Sequence, residues 1–386
     1  MQKVIDTEKI PVKLWLDDIE DTALQQAKNL ANLPFAFKWI AIMPDSHQGY
    51  GMPIGGVMAT KNVVVPNAVG VDIGCGMCSM KTDLKEIDVD NLKKIMGKIR
   101  ETIPVGFSHL KEKQESELYN DVPDVDIVHQ EIKSSMFQLG TLGGGNHFIE
   151  IQRGSDDFIY AMIHSGSRNF GLKIANEYHN KAKELCETWY SNIPDKDLAF
   201  LPQSSAQFHE YLSAMNFALK FAKENRKRMM IQVKQAFKDV LNLADVFFSE
   251  PIDIHHNYAQ LEHHFGENVI VHRKGATSAR KDEIGLIPGS QGTKSYIVRG
   301  LGNPESFASC SHGAGRKLGR KQAQKTLDLE TEKKLLDDQG IVHSIRNIQD
   351  LDEAAGAYKD ISVVMAMQAD LVEIVTELSP LAVIKA

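Results

Sequence analysis

The sequence predicts a mixed α/β (α+β) fold: one large domain over residues 1–386, with central mixed β-sheets flanked by helices and a helical excursion at about 204–247. Three observations lead there. Short apolar or β-branched runs at 39–43, 63–65 and 269–271 alternate with stretches of helical period along the whole chain. The 386 residues are 42% hydrophobic and 25% charged, an ordinary globular balance with enough apolar surface for a large core. No internal repeat, linker or low-complexity tract divides the chain.

Residues 18–33 read as an amphipathic helix, and 39–43 as a strand that stops at Pro44. Residues 44–56 hold four glycines and two prolines, which predicts a loop, and it carries Asp45 and His47. The runs 63–65 and 68–71 read as buried strands feeding the turn at Asp72 and Cys75. Residues 88–101 read as a helix and about 106–126 as a polar surface excursion. Residues 148–151 and 158–163 read as paired strands, with His147 at the start of one and His164 at the end of the other. Residues 169–190 are helical by pattern. The stretch 204–247 is too, and is expected to form a helical hairpin or excursion. Strands resume at 269–271 and 296–298 beside glycine-rich turns. A helix around 351–377 and an apolar tail at 381–384, before Lys385, complete the reading.

The 44 basic and 51 acidic residues give a net charge of −7, which argues against a protein that coats nucleic acid through a broad basic surface. A local basic groove is compatible with it. The four cysteines, at 75, 78, 186 and 310, are sparse, and Met-Gln-Lys-Val-Ile-Asp lacks the apolar core of a secretory signal. No run of about 18 apolar residues supports a membrane span. The expectation is a cytoplasmic protein whose reduced thiols are free to bind metal.

Chemistry concentrates in a few segments. Val69 to Met77 sets Asp72 and Cys75 three residues apart among glycines, where little side-chain bulk limits the approach of a metal. Histidines recur beside small or polar residues at Gly143-Gly144-Gly145-Asn146-His147, His164-Ser165-Gly166-Ser167-Arg168 and His255-His256-Asn257. Thiolate, imidazole and carboxylate together suit zinc, manganese, iron or cobalt and not an all-oxygen calcium or magnesium cage. Cys78 completes a C-x-x-C, but no second pair follows, so it reads as a small buried residue. His255 and His256 should face opposite sides of an extended segment, leaving at most one for a metal. His263, His264 and His272 read as structural or solvent-facing, and no glycine-rich turn matches a P-loop. In 310–320, His312 reads as entering a helix with Arg316 and Arg320 four and eight positions on, one face suited to phosphate. Its plain alternative is a solvated basic helix start. Histidine can also serve as a covalent nucleophile.

On these residues the chain resembles the RtcB RNA ligases, GTP-dependent enzymes that join an RNA 3′-phosphate or 2′,3′-cyclic phosphate end to a 5′-hydroxyl end. Seven ordered motifs carry the resemblance. They are Met43-Pro44-Asp45-Ser46-His47-Gln48-Gly49, Val69 to Met77, Gly140 to Phe148, His164 to Arg168, His256-Asn257, Arg273-Lys274-Gly275-Ala276 and His312-Gly313-Ala314-Gly315-Arg316. The resemblance implies that Cys75 bridges two Mn²⁺ ions, with Asp72 and His147 completing one site and His164 and His256 the other. It implies that His312 takes GMP from GTP while Asp45 fixes its tautomer, and that Asn146 holds phosphate oxygens. Glu150, Tyr358 and Lys385 would contact the guanine nucleotide, Phe148 would lie against the base, and Ser290 and Ser295 would add contacts. Arg168, Lys274, Arg316 and Arg320 would meet RNA phosphates. The partners implied are GTP and RNA with the ends named above, in tRNA splicing or RNA repair, with room for an activating protein partner and none for a membrane.

Asn169-Phe170-Gly171 departs from the second small residue that many relatives keep after the arginine, a change expected to bear on RNA-end contacts and not on the metal. The competing class is a binuclear metallophosphoesterase acting on phosphate-ended nucleic acid, which would need neither His312 nor a lysine at position 385. A non-catalytic RNA-binding factor would need a broad basic surface.

Overall fold

A computed structural model describes residues 1–242 and 246–385. Two sheets dominate it. The first has six strands in the order Lys3–Ile5, Val12–Leu14, Ala36–His47, Ile54–Thr60, Glu267–Lys274 and Asn257–His264, and only Val12–Leu14 runs parallel to its neighbour Ala36–His47. The second is antiparallel throughout, with seven strands in the order Ile252–His255, Gly76–Lys81, Ile159–Ser165, Phe148–Gly154, Val372–Lys385, Ser295–Gly300 and Ile284–Ile287. Ile252–His255 belongs to one sheet and Asn257–His264 to the other, so His256 is the single residue between them.

Helices Asp21–Ala31 and Val89–Thr102 form where the 3.6-residue pattern predicts, the second capped by the Asp88 carboxylate, which accepts from Asn91 N at 2.8 Å. Arg168–Thr188 packs Phe170, Ile174 and Tyr178 into one core cluster. The stretch expected to be a hairpin or excursion is one unbroken 36-residue helix, Ala206–Leu241, about 54 Å long at 1.5 Å per residue. Residues 243–245 of the expected stretch lie outside the described residues. The helix is not peripheral: Phe208, Phe217 and Phe221 pack with Phe170 and Tyr178, and Met229, Val233 and Phe237 pack under Ile149, Ile151 and Ile163 of the second sheet.

Elsewhere the chain departs from its local signals. The strand at 39–43 does not stop at Pro44 but spans Ala36–His47; its ladder is irregular between Ile42 and His47, which accommodates a proline that has no N–H to give. The expected loop 44–56 therefore shrinks, since Ile54 already begins the next strand. Residues 68–71 are not a strand: Pro66–Ala68 is a 3₁₀ turn, and Gly70 sits at a φ of +94°. Asp126–Gln138, at the end of the polar excursion, is a helix that pattern alone did not single out. The largest revision is near position 360. The helix expected over 351–377 is replaced by 3₁₀ turns Ile348–Glu353 and Ala355–Ala357, a short helix Ile361–Met367 and the 14-residue strand Val372–Lys385. That strand bonds on both edges, to Phe148–Gly154 and Ser295–Gly300, and the apolar tail 381–384 lies within it. Partners far away in sequence decide its conformation.

Candidate active site

The strand ends that lie near the junction at His256 carry the chemistry. Asp45 and His47 end Ala36–His47, Cys75 precedes Gly76–Lys81, His147 precedes Phe148–Gly154, and His164 lies opposite Phe148 near the end of Ile159–Ser165. Gly76 permits this convergence: a Cβ there would stand 2.0 Å from Ile254 O, on the strand that delivers His256. The His256 N–H donates to Cys75 O at 2.9 Å, which ties the two segments together.

Cys75 Sγ lies 3.4 Å from His147 Nε2 and 3.3 Å from His164 Nε2. His147 Nε2 is 3.0 Å from Asp72 Oδ2, and His164 Nε2 is 3.4 Å from His256 Nε2. The Nδ1 atoms of His147 and His164 face Leu142 O at 2.9 Å and Asn146 O at 3.0 Å. Donation to those carbonyls puts the ring protons on Nδ1 and leaves the Nε2 lone pairs pointing at a carboxylate, a sulfur and another imidazole. Acceptors facing acceptors in a buried space need a proton or a cation between them. Burial, with neighbouring cationic groups, holds His164 and His256 far below the ordinary histidine range, so both are neutral and ligand-competent. Burial and then Asp72 push the Cys75 thiol up, so it would lose its proton only to a bound cation. Cys75, His147 and His164 thus form a candidate metal-binding cluster, and the donor set fits a transition metal.

His312 lies beside it, its ring 4.8 Å from that of His256. His312 does not enter a helix. It follows the strand Ser309–Ser311, residues 312–319 are irregular, and the next helix begins at Arg320, so no helical face joins His312 to Arg316 and Arg320. What orients His312 is Asp45, whose Oδ2 accepts the His312 Nδ1–H at 2.6 Å and its backbone N–H at 3.1 Å. Burial alone would raise Asp45, but His312, with His47 and Lys359 adding to it, outweighs burial and holds the carboxyl below its usual range.

A cavity of 830 Å³ opens over these groups, its wall including Cys75, His164, His256, His312, Glu150 and Lys385. Asn146, Phe148, Ser290, Tyr358, Lys274, Arg316 and Arg320 line it as well. Burial raises Glu150 to about 8, against smaller opposing effects of Gln152 and Lys385. Three expected residues stand differently. Ser295 is off the wall, its hydroxyl accepting from Gly289 N at 3.2 Å. Arg168, also off the wall, donates to Thr141 Oγ1 at 3.3 Å and Gly106 O at 3.2 Å. Lys274 reaches the wall but its ammonium donates to Tyr50 O at 2.6 Å and Asn67 O at 2.9 Å, and burial lowers it to about 7.

Three residues with no local signal prove structurally central. Asn225 and Arg226, both fully buried, come from the long helix. The Asn225 amide accepts from Gly140 N and Thr141 N and donates to Gly166 O, and Arg226 donates to Gly74 O at 3.0 Å and Ser165 O at 2.9 Å, on either side of the thiol and imidazole. A polar pair inside an apolar helical face was the one available clue. The third, Glu353, gathers Arg316, Arg320, Tyr358 and Lys385 around one carboxylate.

Fold and site together define a mixed α/β protein with a candidate metal centre and an aspartate-oriented histidine at its edge. Residues 26–386 match the family described as tRNA-splicing ligase RtcB. The chain is 40% identical to RNA-splicing ligase RtcB1 of Escherichia coli over 99% of each chain, and 39% identical to RNA-splicing ligase RtcB of Escherichia coli K12 over the same shares. It is 32% identical to tRNA-splicing ligase RtcB of Pyrobaculum aerophilum over 98% of this chain and 95% of that one. The chain belongs to the RtcB family of RNA-splicing ligases. No helix among the described residues is long and apolar enough to cross a membrane.

Proposed function

We propose that this protein is a GTP- and manganese-dependent RNA ligase that joins 3′-phosphate or 2′,3′-cyclic phosphate ends to 5′-hydroxyl ends, in the cytoplasm, in tRNA splicing or RNA repair. The observation that carries the reading is the His312–Asp45 pair at 2.6 Å on the rim of the candidate metal cluster. With the proton on Nδ1 held by Asp45, the Nε2 lone pair is free to attack the α-phosphorus of GTP. The Nε2–P bond forms as the bond to the bridging oxygen breaks, and pyrophosphate leaves with the electron pair. A 2′,3′-cyclic end must first be opened by water, which breaks the bond from phosphorus to O2′ and leaves a 3′-phosphate; an RNA 3′-phosphate oxygen then displaces His312 to give an RNA-3′-pp-G end. The 5′-hydroxyl attacks the RNA phosphate, loses its proton and expels GMP.

Asp72, Cys75, His147, His164 and His256 would hold two Mn²⁺ ions, whose positive charge favours the phosphoryl oxygens that gain charge in each transfer. Asn146 holds phosphate oxygens, Phe148 lies against the base, and Glu150, Tyr358 and Lys385 read the guanine. Ser290 adds a contact from the wall and Ser295 supports its turn. Arg316 and Arg320 face incoming phosphate. Arg168 and Lys274 act through the backbone they brace. Incubation with [α-³²P]GTP and Mn²⁺ tests this: wild type takes an acid-labile, alkali-stable label and His312→Ala takes none. A wild-type protein that takes no label overturns the reading.

A further inference from the structure

Glu353 ends the 3₁₀ turn Ile348–Glu353, and its side chain is 3% exposed. Its Oε1 lies 3.0 Å from Arg316 Nη1 and 3.1 Å from Arg320 Nε, and its Oε2 lies 3.3 Å from Lys385 Nζ and accepts the Tyr358 hydroxyl. Burial would raise this carboxyl, but Lys385, Arg316 and Arg320 outweigh burial and hold it ionised. Two other largely buried carboxylates serve the scaffold: Asp253 meets Arg226, and Glu262 meets Arg273, within strands and helices. Glu353 instead stands at the cavity wall with all its charged partners, but its carboxylate is nearly fully covered by them, so it is they that face the cavity.

The partners cannot set their own positions. Lys385 is at the end of a strand, Arg316 is in an irregular segment, and Tyr358 follows a 3₁₀ turn. Long side chains on such elements lose considerable rotamer freedom when a ligand orders them, a cost that preorganisation removes. The peptide of the turn contributes as well: Asp352 O accepts Arg316 Nη2 at 2.5 Å, and Glu353 O accepts Gln291 Nε2 at 2.8 Å, which anchors the turn to the neighbouring wall.

We propose that Glu353 is the positioning residue of the nucleotide pocket, its carboxylate holding Arg316, Lys385 and the Tyr358 hydroxyl as one preorganised group without itself touching the substrate. The inference rests on the GTP-dependent reading above and names a residue that reading does not use. Three cations around one carboxylate leave two positive charges over, so the group stays attractive to an anionic nucleotide while its geometry is fixed.

The test is steady-state RNA ligation by full-length Glu353→Asp and Glu353→Gln, with KM for GTP, kcat and the thermal midpoint measured for each. Glu353→Asp keeps the charge balance and shortens the reach by one methylene, so it isolates position from charge. Both variants are expected to raise KM for GTP about ten-fold or more while kcat stays within about three-fold, the signature of lost binding and not of lost chemistry. Discrimination between GTP and ATP is expected to fall in parallel. A purely structural role would lower the midpoint and the active fraction and leave KM alone. A folded Glu353→Asp with KM within two-fold of wild type overturns the inference, and this variant decides alone if Glu353→Gln does not fold. Wild type that takes no label from GTP overturns the ligase reading and this inference together, whereas labelled wild type beside an unchanged Glu353→Asp overturns only the latter.

Discussion

Asp45 Oδ2 accepts both the ring Nδ1–H of His312 at 2.6 Å and its backbone N–H at 3.1 Å, so a single carboxylate oxygen fixes the imidazole and the chain that carries it. The aspartate is fully buried and its other oxygen has no hydrogen-bond partner among the described residues. Asp45→Asn keeps the volume but removes the charge that favours this tautomer. It is expected to slow transfer of label from GTP to His312 by about 10²- to 10⁴-fold in single-turnover assays, with little change in KM. A rate within ten-fold of wild type would mean that Asp45 does not set the tautomer.

Cys75 Sγ lies within 3.4 Å of both His147 Nε2 and His164 Nε2. Cys75→Ala is expected to lower bound manganese, measured by elemental analysis after gel filtration, from two ions per chain to one or none, and to abolish labelling. Two retained ions would remove the bridging role from this thiol.

Glu150 yields a pH prediction. Its carboxyl is raised by burial to about 8, against an ordinary value of 4.5. The folded state therefore binds this proton more tightly than the unfolded state, and the wild type loses stability from this group as pH rises from about 4.5 to about 8. Glu150→Gln removes that loss and should stabilise the protein at pH 8 by on the order of 4 kcal/mol, read from chemical denaturation. Under the proposed reading the same variant should raise KM for GTP, because a carboxylate that would accept guanine N–H groups is gone. In wild type KM should fall as pH rises towards 8, and in the variant it should stay flat. A falling KM in both would place the titrating group elsewhere.

Arg226 is fully buried and holds Asp253 at 2.6 Å together with the carbonyls of Gly74 and Ser165. Arg226→Met strands a buried carboxylate and two acceptors, and should cost about 3–5 kcal/mol in equilibrium unfolding. Arg226→Met/Asp253→Leu should recover part of that loss. If the double variant is no more stable than Arg226→Met alone, the cost does not come from the stranded carboxylate.

The segments that meet in the cavity could be read in the sequence because each is a short motif of glycine, small and metal-binding residues beside a strand. Asp45, Asp72, Cys75, His147, His164, His256 and His312 do stand together in space. His312 was expected to start a helix and instead follows a strand, because what places it is a carboxylate 267 positions away and no local pattern encodes that pairing. The same reason hid Asn225, Arg226 and Glu353. Each is an ordinary residue in its own segment and acquires its place through partners on other elements. Residues 372–377 read as the end of a helix, and 381–384 as an apolar tail, for a related cause, since two flanking strands decide the conformation of Val372–Lys385. Lys274 shows the converse, a cation legible as a phosphate partner whose ammonium is instead committed to two backbone carbonyls.

His256, the one residue between the strands Ile252–His255 and Asn257–His264, is a joint where the chain steps from one sheet to the other. Whatever grips its imidazole also grips the joint, so cargo in the cavity would act as a rivet. Filling the site and fastening one sheet to the other would then be one event, and a cation bound at a few side chains would be felt as a higher melting temperature for the entire molecule.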